Sequence, residues 1–215
     1  MSVFRPQSNT RARLGLAAVV ALPVLAIGFV LLYARTVYFT SQSFPAIQPL
    51  EFDHRHHVRD DGIDCRYCHQ TVETDASAGI PPTELCMGCH NQIWNKSPTL
   101  QLVRQSYFDD RPIAWRRVHR LPDFVFFNHA IHVTKGVGCV TCHGRVDQMA
   151  AVEQVQPLNM GWCLECHRAP AKNLRPPDQL TSMTWKAEGD RDALARSLAR
   201  LYDVRTRVSC TTCHR

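Results

Sequence analysis

Phe127-Asn128-His129-Ala130-Ile131-His132, followed after six residues by Cys139-Val140-Thr141-Cys142-His143, is the stretch on which the fold turns. Its second half is C-x-x-C-H, the pattern by which a c-type haem is attached covalently. Two thiols three positions apart reach the two vinyl groups of one porphyrin, and the imidazole of the next residue falls under the iron as proximal ligand. In the first half, two histidines spaced three apart share one face of a helical turn, so they can supply the second axial ligands of two neighbouring haems.

The chain has 215 residues and ten cysteines, and every cysteine falls in a motif of this kind. The motifs are Cys65/Cys68/His69, Cys86/Cys89/His90, Cys139/Cys142/His143, Cys163/Cys166/His167 and Cys210/Cys213/His214. No cysteine remains for a disulfide or a nucleophile. Zinc is the rival reading, because 17 residues separate Cys68 from Cys86 and 20 separate Cys142 from Cys163, which are ribbon-like spacings. A ribbon, however, needs no histidine after every second cysteine, and it would leave the fifth pair without a partner. The motifs therefore predict five covalently bound haem c groups, with His69, His90, His143, His167 and His214 as proximal ligands.

Leu14 to Tyr33 carries no charge over twenty residues, enough to cross a bilayer as one helix. Arg5, Arg11 and Arg13 precede it, so the positive-inside rule keeps residues 1–13 as a cytoplasmic tail and sends the rest across. The expected location is the bacterial inner membrane, single-pass, with the haem domain on the periplasmic side, where thiols escape the reducing cytosol. A cleaved signal peptide is the alternative, but Tyr33-Ala34-Arg35-Thr36-Val37-Tyr38 lacks a clear small-x-small cleavage site.

The formal charge of +6 does not argue for nucleic acid. Five haems bring about ten propionates, and no basic run is interleaved with aromatics. The roughly 180 residues beyond the membrane segment are few for five haems, so porphyrin faces must supply much of the apolar core. No alternating apolar pattern of a sheet appears. The expected fold is mostly α-helical and irregular: short helices and loops around stacked haems, with one N-terminal transmembrane helix.

An internal repeat organises the rest. Phe52, His54 and His57 match Phe127, His129 and His132 in spacing, and C-x-x-C-H motifs follow each set. This divides the chain into a tail (1–13), an anchor (14–33), a linker (34–50), a dihaem module (51–100), a connector (101–126) and a trihaem module (127–215). Pro112 and Pro122 argue against a long helix in the connector. Asp190 to Tyr202 has helical apolar spacing, with Asp190 as N-cap.

Of the eleven histidines, six lie outside the motifs. The repeat selects His54, His57, His129 and His132 as distal ligands, leaves His56 as a bystander and keeps His119 as a spare. Four distal histidines for five haems leave one sixth ligand open among His119, Met87, Met149 and Met160, thioether being another usual axial ligand.

Two resemblances sharpen these readings. From Phe127 onward the chain resembles the trihaem class III multihaem cytochromes. That likeness implies that the first paired histidine ligates the next haem, the second ligates the haem after it, and a residue near Met160 ligates the third. The family has histidine at that position, where this chain has methionine. Ala78-Gly79-Ile80-Pro81-Pro82, Leu121-Pro122-Asp123-Phe124-Val125-Phe126-Phe127-Asn128-His129 and Leu158-Asn159-Met160-Gly161-Trp162-Cys163 resemble the pentahaem cytochrome c subunits of bacterial alternative complex III. This implies electron transfer, with no substrate-converting site of its own, inside a quinol-oxidising membrane complex. Its partners would be an iron–sulfur protein, integral membrane quinol-binding subunits and a monohaem cytochrome c.

Three alternatives differ in kind. A membrane-anchored quinol dehydrogenase usually places its first haem motif close to the membrane helix, whereas 31 residues separate Tyr33 from Cys65. A multihaem reductase needs an open iron, and all five motifs here end in histidine. A free-standing periplasmic shuttle would be favoured by a cleaved N-terminus.

Overall fold

The computed structural model describes residues 7–215 and divides them into two compact units, one ending at Gln42 and the other spanning Ser43–Arg215. Residues 1–6 of the expected tail lie outside the described residues.

In the first unit, α1 (Ser8–Tyr33) contains the apolar stretch and continues through Pro23 without a break. It starts six residues before the expected anchor, so Arg11 and Arg13 sit on the same helix. The apolar span is bounded by charge, and the helix by its hydrogen bonds. At 26 residues, with no buried side chain, α1 is long and apolar enough to cross a membrane. A short helix, α2 (Val37–Thr40), follows.

The second unit is built of short helices joined by irregular chain, and no strand occurs among the described residues beyond isolated bridges such as Val137 with Leu174. Every attachment motif lies on a helix. In α3 (Cys65–Cys68), α7 (Cys139–His143) and α10 (Cys210–Cys213) the first cysteine opens the helix. In α4 (Thr83–His90) and α8 (Met160–Arg168) the motif forms the C-terminal half. A helical turn puts residues three and four apart on one face, so both cysteines and the histidine of each motif project together.

The repeat holds in space. Phe127 meets His129 edge-on at 4.7 Å and stacks on His132 at 4.5 Å. Phe52 does the same to His54 and His57, at 4.7 Å and 4.5 Å. The backbones differ: His129 and His132 sit on α6 (His129–Thr134), capped by the Asn128 side chain, whereas His57 lies on a π-helical turn (Arg55–Asp60) with His54 at its N-cap. In the π turn, Asp53 accepts hydrogen bonds from the Arg55 backbone and guanidinium instead of capping a regular α-turn. Three-residue spacing survives both geometries, so the rings keep a common side.

Packed side chains are sparse, as expected if flat cofactors fill the interior. Leu50, Met87 and Val103 form one cluster, with Cys86, Leu100 and Trp115 against it. Val72, Val133 and Leu180 form a second. Met87, one of the four candidate sixth ligands, is thus buried among aliphatic side chains. The helix α5 (Gln101–Phe108), which falls within residues 101–126, carries Val103 and ends before Pro112.

Asp190 caps α9 (Arg191–Leu201), its carboxylate accepting from Asp192 and Ala193 N–H. The end of α9 is tied to the body at Gly136. Lys135 Nζ donates to Tyr202 O at 2.7 Å, and Tyr202 Oη donates to Arg175 O at 2.9 Å. Gly136 has φ +86°, and a Cβ there would enter the Tyr202 ring. Gly136→Ala is therefore expected to destabilise the holoprotein by roughly 2–3 kcal/mol, from backbone strain plus overpacking. Denaturant unfolding followed by haem absorbance measures it.

Candidate haem sites

A histidine that binds metal through one ring nitrogen almost always donates its other N–H to a carbonyl or carboxylate, which fixes the ring and its tautomer. Four of the five proximal candidates are held this way. His69 Nδ1 lies 2.8 Å from Gly79 O, His90 Nδ1 3.1 Å from Ile93 O, His167 Nδ1 2.8 Å from Arg207 O and His214 Nδ1 3.0 Å from Phe124 O. Among the framed histidines, His57 is tied to Asp53 O at 3.1 Å, His129 to Ala76 O at 2.9 Å and His132 to Asn128 O at 2.7 Å. Each tie leaves Nε2 to coordinate. His54 Nδ1 is buried without a hydrogen-bond partner.

The spacing between rings carries the same message. Two imidazoles on opposite sides of one iron, each at a metal–nitrogen distance of about 2 Å, have ring centres about 6 Å apart. His57 and His90 are 6.1 Å apart, His129 and His143 are 6.3 Å apart, and His132 and His167 are 6.0 Å apart. His54 lies near His69. His56 turns away, its ring nitrogens 3.9 Å from Asp60 and 3.6 Å from Asp61.

Burial favours the neutral, coordinating form at His143, His54, His132 and His119. It lowers His143 to about 3, with His119 and His129 adding to the effect, and lowers His54 to about 4. His132 and His119 are also lowered, mainly by burial. The donor set and the thin side-chain core both fit porphyrins. Among the described residues no group of three His, Cys, Asp or Glu side chains converges as it would to hold a bare metal ion.

The cysteines are less uniform than their motifs. At the second motif Cys89 is exposed, while its partner Cys86 is half-buried. The reason lies on α4, where Met87 takes the inward position against Leu50 and Val103. Cys89 follows Met87 by two residues, about 200° around the helix, which turns it outward. Its carbonyl accepts from Gln92 and Ile93 N–H, so the chain leaves α4 in a tight turn there. Cys210 is likewise exposed, and the other eight are half-buried.

The other candidate ligands fall in different surroundings. His119 packs nearly perpendicular to His143 at 4.3 Å, and its Nε2 is buried without a partner. That distance is too short for the two rings to share an iron from opposite sides. Met160 opens α8 and is 66% exposed, and Met149 is half-buried. The carbonyls of Gly79, Ile93, Phe124, Arg207 and Ala76 orient ligands, and no side-chain pattern marks them in advance.

Neighbouring motifs also touch. Cys65 and Cys139 are close neighbours. Cys86 lies near Cys68, Cys142 near Cys163 and Cys166, and Cys163 near Cys213.

Residues 125–215 match the family of cytochrome c7 and related cytochrome c. The chain is also similar to the menaquinone reductase multiheme cytochrome c subunit of Nitratidesulfovibrio vulgaris (strain Hildenborough), 35% identical over 97 residues. That alignment covers 45% of each chain, so this protein spans under half the length of the curated relative. Its repeated attachment helices and oriented imidazoles agree with that likeness: residues 125–215 are similar to multihaem cytochromes c.

Proposed function

We propose that the chain is a pentahaem electron-transfer subunit of a membrane quinol-oxidising complex of the alternative complex III type. In this reading it carries electrons between partner subunits and a periplasmic acceptor. The observation that supports it most is the set of histidine pairs about 6 Å apart. An iron with both axial positions filled offers no site for a substrate, and its haem supplies only reversible one-electron chemistry. In this assignment His54 and His69 hold one haem, His57 and His90 the second, His129 and His143 the third, and His132 and His167 the fourth. The exposed Cys89 stays in the set as the second thioether of the haem on His90, at an edge of that haem that faces outward.

For the fifth, His214 is paired with Met160. Cys163 follows Met160 by three residues on α8 and lies near Cys213, which brings the start of α8 toward the last motif. His119 is engaged instead with His143.

A second reading is favoured by the named relative. A subunit of a menaquinone reductase belongs to a complex that delivers electrons to the quinone, the opposite direction. Gentle detergent extraction followed by identification of the co-purifying subunits and assay of the intact complex distinguishes the two. Co-purification with iron–sulfur and integral membrane subunits and quinol-dependent reduction of the haems is the expected result. Haems that stay oxidised with quinol, yet donate electrons to menaquinone, would favour the second reading. A chain that purifies alone, with no membrane subunit, would favour the free-standing shuttle.

A further inference from the structure

The chain order of the attachment motifs is not their order in space. We propose that the five haem attachment sites form a single row in which the site at Cys65–His69 lies between the site at Cys86–His90 and the site at Cys139–His143. Numbered along the sequence, the row runs 2–1–3–4–5. This rests on the reading that every motif carries a haem.

The junction between the two repeats carries the argument: residues flanking the first motif make much of it, beside the packing of the Arg55–Asp60 turn on Val146–Gln148 just past motif 3. Asp64, immediately before Cys65, accepts a 2.7 Å hydrogen bond from Thr181 Oγ1. Next to Thr181, Leu180 O accepts from Cys139 N at 3.1 Å, so one short segment clamps the starts of motifs 1 and 3 together. After motif 1 the chain goes on to dock against α6. Asp75 O accepts from Ala130 N, and Ala76 O accepts from both His129 N and His129 Nδ1, all within 3.1 Å. Val72 packs with Val133 and Leu180 in one apolar cluster, with Ala78 against it. Cys65 and Cys139 lie side by side at this contact.

Motif 2 faces the other way. Met87 and Cys86 pack against Leu50, Val103, Leu100 and Trp115, Thr83 bonds to Ser106 at 2.6 Å, and His90 is tied to Ile93 beside it. Cys86 has Cys68, from motif 1, as its neighbour among the attachment cysteines. At the far end, Cys213 O accepts from Phe126 N at 2.8 Å while His214 binds Phe124 O, which seats motif 5 beside the entrance to the second repeat and next to Cys163. Exposure agrees: Cys89 and Cys210, the exposed attachment cysteines, belong to motifs 2 and 5, whereas those of motifs 1, 3 and 4 are half-buried. Sites 2 and 5 are therefore the ends of the row, and site 1 is the link on which continuity between the repeats depends. Each transfer along it oxidises one ferrous iron and reduces the adjacent ferric iron, with no atoms exchanged.

The test is two-dimensional proton NMR on the fully reduced, detergent-solubilised holoprotein, in which low-spin ferrous haems are diamagnetic. Each haem is assigned through cross-peaks from its meso and thioether protons to its own cysteines and proximal histidine. The row requires inter-haem cross-peaks between the haem on Cys65/Cys68 and the haem on Cys139/Cys142, and none between the latter and the haem on Cys86/Cys89. Cross-peaks joining the haems of motifs 2 and 3, with none joining those of motifs 1 and 3, would overturn the order while leaving the five-haem reading intact. Fewer than five sets of haem signals would instead overturn the haem count, and the row with it.

Discussion

His129→Leu is expected to turn a cytochrome that ignores carbon monoxide into one that binds a single equivalent per chain. The native protein, with every iron filled on both sides, should show no spectral change on adding carbon monoxide or azide. His129 faces His143 at 6.3 Å with the rings nearly parallel, 14° apart, so removing its imidazole opens one iron. Leucine keeps the volume and the backbone bond from residue 129 to Ala76 O, so what is lost is the imidazole's coordination and its Nδ1 bond to the same carbonyl. The readouts are a high-spin absorbance feature and a carbon monoxide difference spectrum accounting for about one fifth of the haem. His56→Leu should leave both spectra untouched, because His56 faces Asp60 and Asp61. A five-haem His129→Leu protein that still excludes carbon monoxide would remove His129 from the ligand set.

Met160→Ala should abolish the near-infrared sulfur-to-iron charge-transfer band and lower the potential of one haem. Replacing a His/Met pair shifts a c-type haem by on the order of a hundred millivolts, within the roughly 0.8 V that axial ligands span. The prediction separates ligation from packing. At 66% exposure Met160 belongs to no side-chain cluster, and a surface methionine trimmed to alanine changes stability by within about 0.5 kcal/mol. A potentiometric titration resolving one haem that moves downward, with four unmoved, is the expected outcome. If the band persists, Met149→Ala and His119→Leu are the next substitutions to test.

Much of the site is legible in the sequence because haem attachment is a local device. C-x-x-C-H needs one helical turn, and F-x-H-x-x-H needs one more, so spacing alone identifies these residues as candidates. The same locality makes His56 readable as a bystander, since it falls off the shared face of His54 and His57. What the sequence leaves dark is non-local. The carbonyls of Gly79, Arg207 and Phe124 hold His69, His167 and His214 across 10, 40 and 90 residues, and a backbone oxygen has no signature of its own. The outward turn of Cys89 is of the same kind, because the C-x-x-C-H pattern recurs at all five sites and does not encode the packing of Met87 against Val103 that turns this cysteine out.

Gly79 and Phe124, whose carbonyls hold the candidate ligands His69 and His214, lie in segments for which the sequence offers only a resemblance and no spacing rule. Asp190 to Tyr202 could be read as a helix from its period, while its docking through Tyr202 over Gly136 could not. The π-helical turn at Arg55–Asp60 escaped notice too, because Asp53 engages Arg55 rather than capping a regular turn. The adjacency of motifs 1 and 3 depends on Thr181, 117 residues from Asp64, and no repeat period encodes it.

The most direct test of the whole account is the number of haems on one chain. Intact mass spectrometry of the purified holoprotein, checked by a pyridine haemochrome count against polypeptide, should give the 24.4 kDa chain plus five covalently held haem c groups. A fully loaded protein with two haems or fewer per chain would contradict it.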